Sequence, residues 1–114
     1  MNDNPVETDD MILKRLREPI DELVNRHCFN MSLESRLVLK QLAWYAVDIL
    51  IDTDDVENLK NNDVICKLIE EIKSLSGSQE FINESLELAK RIYKNIQLDY
   101  PELLTRYRFK KNIT

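Results

Sequence analysis

The strongest restriction on this chain is its shortage of turn-makers. Its 114 residues include one glycine, Gly77, and three prolines, Pro5, Pro19 and Pro101. A β-rich domain needs such residues at nearly every hairpin, so a chain with so few is predicted to build a handful of long helices. The remaining composition agrees, with 43% hydrophobic and 32% charged residues, a mixture suited to helices with one face in a core and one in water. The length is that of one domain. The predicted fold class is all-α, a single compact bundle of about five helices.

The apolar periodicity divides the chain further. Residues 1–8 read as a polar, disordered leader, 9–100 as a helical interaction domain, and 101–114 as a basic C-terminal tail with room for a short helix. Thr8, Asp9 and Asp10 offer caps for a first helix whose stripe is Ile12, Leu13, Leu16, Ile20, Leu23 and Val24, with Pro19 expected to kink it. His27 to Met31 breaks the period and reads as a loop. Ser32 then caps a second helix, with Glu34 favourable in its first turn. Its Leu33, Leu37, Leu42, Trp44, Tyr45 and Ile49 are apolar almost all round, as a central helix touching several neighbours would be. It is expected to end between Asp48 and Asp52. Thr53-Asp54-Asp55 is read as the cap of a short third helix with Val56 and Leu59 inward, interrupted at Asn61-Asn62-Asp63. A fourth helix carries Val64, Ile65, Leu68, Ile69 and Ile72, and Gly77 lies where a left-handed residue closes it. Ser78 caps a fifth, with Ile82, Leu86, Ala89, Ile92 or Tyr93, and Ile96 inward. Pro101 stops that helix or opens a short terminal turn.

Charge and cysteine content narrow the function. The net charge is −5 and the pI about 4.9, which makes a poor partner for a phosphate backbone. Direct nucleic-acid binding is not expected. Acid is concentrated at Asp48, Asp52, Asp54, Asp55 and Glu57, while Arg106, Arg108, Lys110 and Lys111 make the C-terminus basic. Cys28 and Cys66 lack a C-x-x-C spacing and read as reduced thiols. No secretory leader is recognised at the start. The longest apolar stretch, Leu42 to Ile51, is too short to span a bilayer and is interrupted by Asp48. Cytosol or nucleus is the expected compartment.

Sites of chemistry are sparse. His27 beside Cys28 suggests a nucleophile and base, but sequence neighbours rarely present both groups to one substrate and no orienting partner is evident. One His and two separated Cys poorly supply a zinc site. Asp52 to Asp55 lacks the glycine and distal glutamate of a calcium loop, so capping is its expected role. No catalysis, metal or cofactor is expected. Trp44 and Tyr45 read as core rather than ligand platform. In the tail, Tyr107-Arg108-Phe109-Lys110-Lys111 suits contact with a phosphate backbone or an acidic partner or, more commonly, a frayed solvated end. Phe29, Met31 and Leu75 are large apolar residues in predicted loops. They either fold back over the core or form a patch for a partner.

The stretch Ser78-Gln79-Glu80-Phe81-Ile82-Asn83-Glu84-Ser85, followed by Lys90, Tyr93 and Lys94-Asn95, resembles the final long helix of the integrase-binding domains, within the transcription-elongation-factor N-terminal-domain family. The first helix is similar in pattern through Leu13, Arg15, Leu16, Ile20 and Leu23. Asn30-Met31 with Leu33 resembles the start of that family's second helix. The resemblance covers about Ile12 to Gln97 and rests chiefly on Ser78 to Asn95. It implies a compact right-handed bundle, a monomer, acting as a nuclear adaptor in transcription or chromatin. Such an adaptor captures intrinsically disordered segments containing Phe, without membrane or cofactor. By resemblance the docking loops are Cys28-Phe29-Asn30-Met31 and Leu75-Ser76-Gly77. The sequence departs from the family in three places. Asn30 is the nearest acceptor where the family has a carboxylate. The bulky pair of the second loop is reduced to Leu75 and Gly77. A basic patch is replaced by Glu70 and Glu71 with only Lys73 kept, which implies a partner with basic residues. The expectation from a different class is a stand-alone helical inhibitor or immunity-type protein that blocks one folded target with an acidic face.

Overall fold

A computed structural model of the chain describes residues 8–28, 30–75 and 78–113, with 108–113 as backbone only. Five α-helices follow one another: α1 (Asp9–Cys28), α2 (Leu33–Thr53), α3 (Asp63–Ser74), α4 (Gln79–Asp99) and α5 (Pro101–Ile113), with a 3-10 turn over Leu59–Asn61 before α3. The described residues contain no strand. The chain is an all-α bundle.

The helices start where short polar side chains satisfy free N–H groups. Thr8 Oγ1 accepts from the Met11 amide, Ser32 Oγ from Ser35, Asn62 Oδ1 from Val64 and Ile65, and Ser78 Oγ from Phe81. Thr8 therefore belongs to the domain and not to a leader ending there; residues 1–7 lie outside the described residues. α1 runs through Pro19 without interruption and through His27 to a buried Cys28, positions expected to lie in a loop.

α2 and α4 form the central pair, with α1 and α3 packed beside them and α5 touching both. Asp21 meets Lys40 and Asn25 meets Arg36, so α1 and α2 are antiparallel. His27 meets Glu84 while Arg15 meets Tyr100, so α1 and α4 are antiparallel as well. The core holds Leu39, Leu42, Leu50, Ile65, Ile72 and Phe81, each almost fully buried. The predicted stripe of α4 is buried throughout: Ile82, Leu86, Ala89 and Ile96, and both Ile92 and Tyr93.

The number of helices matches the expectation, but two of them are differently placed. No helix begins at Thr53. Its hydroxyl donates back to the Ile49 carbonyl, 2.8 Å away, and α2 continues to Thr53, where Asp54 closes it in a left-handed conformation (φ 54°). Asp54 tolerates that conformation because its short carboxylate is engaged, accepting from the Tyr93 hydroxyl and from Gln97 Nε2. Asp55 then holds the following turn by accepting from the Asn58 amide and side chain. Leu59 is buried there, but Val56 is exposed, as is Val64 in the first turn of α3. On α2, Leu33, Leu37 and Tyr45 are exposed and Trp44 is half-buried, against the expectation that all four are core.

The second difference is the C-terminus. Pro101 opens a helix, α5, as suits a residue whose missing N–H costs nothing at a first helical position. Leu103 and Leu104 are buried. Arg106 reaches Asp9 with two guanidinium nitrogens at 3.0 and 2.7 Å, and the Tyr107 hydroxyl donates to Asp48 at 2.8 Å. The tail is thus not a frayed end up to Tyr107. The side chains of Arg108, Phe109, Lys110 and Lys111 lie outside the described ones.

Tyr107 makes the docking of α5 measurable. Its phenol is pushed up to about 12, first by burial, then by the hydrogen bond to Asp48 and by the charges of Asp48 and Asp52. A folded value above the unfolded value of about 10 means that the contribution to stability is complete below about pH 10 and is lost as pH rises through about 12. In an ultraviolet phenolate titration, Tyr107 is expected to ionise late, so Tyr107→Phe should remove one phenol from the part of the curve that titrates near pH 12. A Tyr107→Phe variant that instead loses a phenol titrating near pH 10 would mean that α5 is not docked through this residue.

Candidate protein-interaction site

The last turn of α1 and the first turns of α4 meet at one end of the bundle. The Ser78 cap fixes the start of α4, and one turn on Phe81 is buried. The His27 ring meets Phe81 edge-on, with centroids 5.7 Å apart and planes at 65°, and its Nε2 lies 2.9 Å from Glu84 Oε2. The last turn of α1 is thereby pinned to the first turns of α4. The connection after α1 and the connection before α4, though distant in sequence, leave from this one junction.

The site residues expected from the sequence distribute as follows. The Met31 amide donates to the Cys28 carbonyl at 3.1 Å, and the Met31 side chain is partly buried against the core. Asn30 beside it is exposed. Leu75 closes α3 by donating to the carbonyls of Glu71 and Ile72 and is half-exposed. Glu70, Glu71 and Lys73 are exposed on the last turns of α3. Phe29 and Gly77 lie outside the described residues. Met31 is therefore mostly a core residue that reaches the surface, whereas Asn30 and Leu75 offer polar and apolar surface to solvent.

His27 is the residue that joins the last turn of α1 to the first turns of α4. Its partners, Phe81 and Glu84, are more than fifty positions away, and nothing local signals them. The imidazole is engaged with Glu84, and burial pushes the Cys28 thiol up, away from the thiolate that nucleophilic attack requires. Cys66 is exposed, with its Sγ donating to the Lys60 carbonyl. Among the described residues no group of His, Cys, Asp and Glu is arranged to hold a metal ion, and no helix is long and apolar enough to cross a membrane.

No protein-family model, no curated protein sequence and no solved structure matches this chain.

Proposed function

We propose that this chain is a non-catalytic protein-interaction module that captures short disordered segments containing Phe at the end of the bundle joined by His27. The observation that carries this reading is the pinning of the last turn of α1 to the first turns of α4 through Phe81 and Glu84, the helix ends from which the connections holding Asn30 and Met31 and holding Leu75 depart. Such a rigid scaffold with small loops between helices suits capture of an extended peptide at low ordering cost. The resemblance of Ser78 to Asn95 to the integrase-binding domains supports the same surface and, with it, an adaptor role in transcription or chromatin in the nucleus.

In this reading the Asn30 side-chain oxygen accepts a backbone N–H of the partner, and an aromatic ring packs on Leu75 and the exposed edge of Met31. Glu70 and Glu71 attract basic residues of the partner, and Lys73 attracts an acidic one. Rim charges act mainly on association rate and salt dependence, whereas apolar anchors set the dissociation rate.

The test is an NMR titration of the whole chain with extended Phe-containing peptides, one set flanked by Lys and one by Glu. Leu75→Ala is expected to weaken binding by roughly 2 kcal/mol, the loss typical of an interface hot spot, with the helical spectrum unchanged. Glu70→Lys with Glu71→Lys should reverse the preference from basic to acidic flanks. Chemical-shift changes that avoid residues 30, 31 and 70–75 altogether would defeat this assignment.

A further inference from the structure

The exposed face of α2 carries a separate site. At 100° per residue, Leu39, Leu42, Ala46 and Leu50 line the core side of α2, while Leu33, Leu37 and Trp44 fall on a second line, with Lys40 between them. Leu33 is 64% exposed and Leu37 51%, so two large leucines on one helix face meet water. Isolated exposed leucines are ordinary; a line of them ending on the chain's single tryptophan is a patch.

That line borders a groove of about 500 Å³ between α1 and α2, lined by Lys14, Arg17 and Ile20 on one side and Leu37, Lys40 and Trp44 on the other. The Arg17 guanidinium carbon lies over the Trp44 ring, 3.6 Å from its centroid, a cation–π contact across the groove wall. The groove has three cations against one carboxylate, Asp21, whose Oδ1 lies 3.2 Å from Lys40 Nζ. Among the described residues no carboxylate forms an ion pair with Lys14 or Arg17. A positive, apolar trough on a chain of net charge −5 selects an occupant of the opposite character.

We propose that the α1–α2 groove is a docking site for an acidic amphipathic helix of a partner protein. Two antiparallel helices leave a trough into which a third helix packs. The line from Leu33 to Trp44 runs about 16 Å, three turns, at the helical rise per residue. The occupant presents apolar side chains at i, i+4, i+7 and i+11, a stripe of the same three turns, along Leu33, Leu37 and Trp44. Its flanking carboxylates meet Lys14, Arg17 and Lys40. This site is on the side of the bundle and stands or falls independently of the loop end described above.

Because Trp44 is the sole tryptophan, its fluorescence reports occupancy directly. The probes are two synthetic helical peptides with Leu at i, i+4, i+7 and i+11, identical except that one is flanked by Glu and the other by Lys. With the full chain, the acidic peptide is expected to change Trp44 emission and to shift the amide signals of Leu37 and Lys40. Its affinity should fall with rising salt. Leu37→Ser and Lys14→Glu should each weaken it about tenfold, the equivalent of one interface contact. Leu37 is exposed, so helical content and denaturation midpoint serve as controls, and Leu33→Ser provides a second variant if either moves. Equal binding of both peptides, binding of neither, or shifts confined to Asn30 and Leu75 would each overturn the proposal. So would a Trp44 signal that changes with protein concentration alone, which would assign the face to a second copy of this chain.

Discussion

Leu86→Ala is expected to lower the free energy of unfolding by about 2–5 kcal/mol, the usual cost of truncating a fully buried leucine. Leu86 is 2% exposed in the middle of α4, and α4 makes the broadest contact with α2. Removing its branched end forfeits transfer free energy and leaves a cavity that two long, mutually braced helices cannot close by local collapse. The matched control is Leu98→Ala in the same helix. Leu98 is 70% exposed, so its truncation should change stability by no more than about 0.5 kcal/mol. Urea denaturation followed by circular dichroism separates the two, with the midpoint falling for Leu86→Ala at unchanged slope. Equal midpoints would mean that the inward face of α4 is misassigned.

The second large effect is expected at the C-terminus. Leu103→Ala and Leu104→Ala should each cost roughly 2–5 kcal/mol if α5 is an integral part of the core. The double variant should cost less than their sum, because neighbouring residues share a cavity. Arg106→Ala should change stability less than either, although Arg106 reaches Asp9 through two nitrogens, because an exposed ion pair returns little after solvation and side-chain ordering. Denaturation of the three single variants tests this order. If the leucine variants matched the wild type while Arg106→Ala did not, α5 would be held by charge rather than by burial. The side chains of Leu103 and Leu104 would then have to be solvent-exposed.

Both outcomes bear on which helices are legible without a structure. α4 is written plainly in the chain. Ser78 is a capping residue, the apolar spacing from Ile82 to Ile96 is helical, and every residue of that stripe is buried. α1 is similarly clear, and its one boundary error, at His27 and Cys28, is of the size expected where a helix end frays into a loop. α5 is not clear, because its anchors are Leu103, Leu104 and Tyr107. Two adjacent leucines and one aromatic make too short a stripe to distinguish a docked helix from a solvated tail. Its place is set by partners far away in sequence, Asp9 and Asp48.

Local pattern thus determined that the chain is helical and where most helices begin. Each cap is a contact between residues two or three positions apart, and each amphipathic stripe recurs within one helix. Direction was not so determined wherever a helix carries more than one apolar line. On α2, the line through Leu39, Leu42, Ala46 and Leu50 and the line through Leu33, Leu37 and Trp44 together look like a helix buried on all sides. Only the packing of α1, α3 and α4 against the first line leaves the second in water. Thr53 is ambiguous in the same way, since a hydroxyl followed by two aspartates reads as a helix start. It is a helix end here because Asp54 finds Tyr93 and Gln97, some forty residues on. His27 joins two distant connections only once α1 and α4 lie antiparallel. Side chains two to four residues apart meet because the helix itself brings them together, whereas these groups meet only after the bundle has formed, which is why the tertiary structure alone decided them.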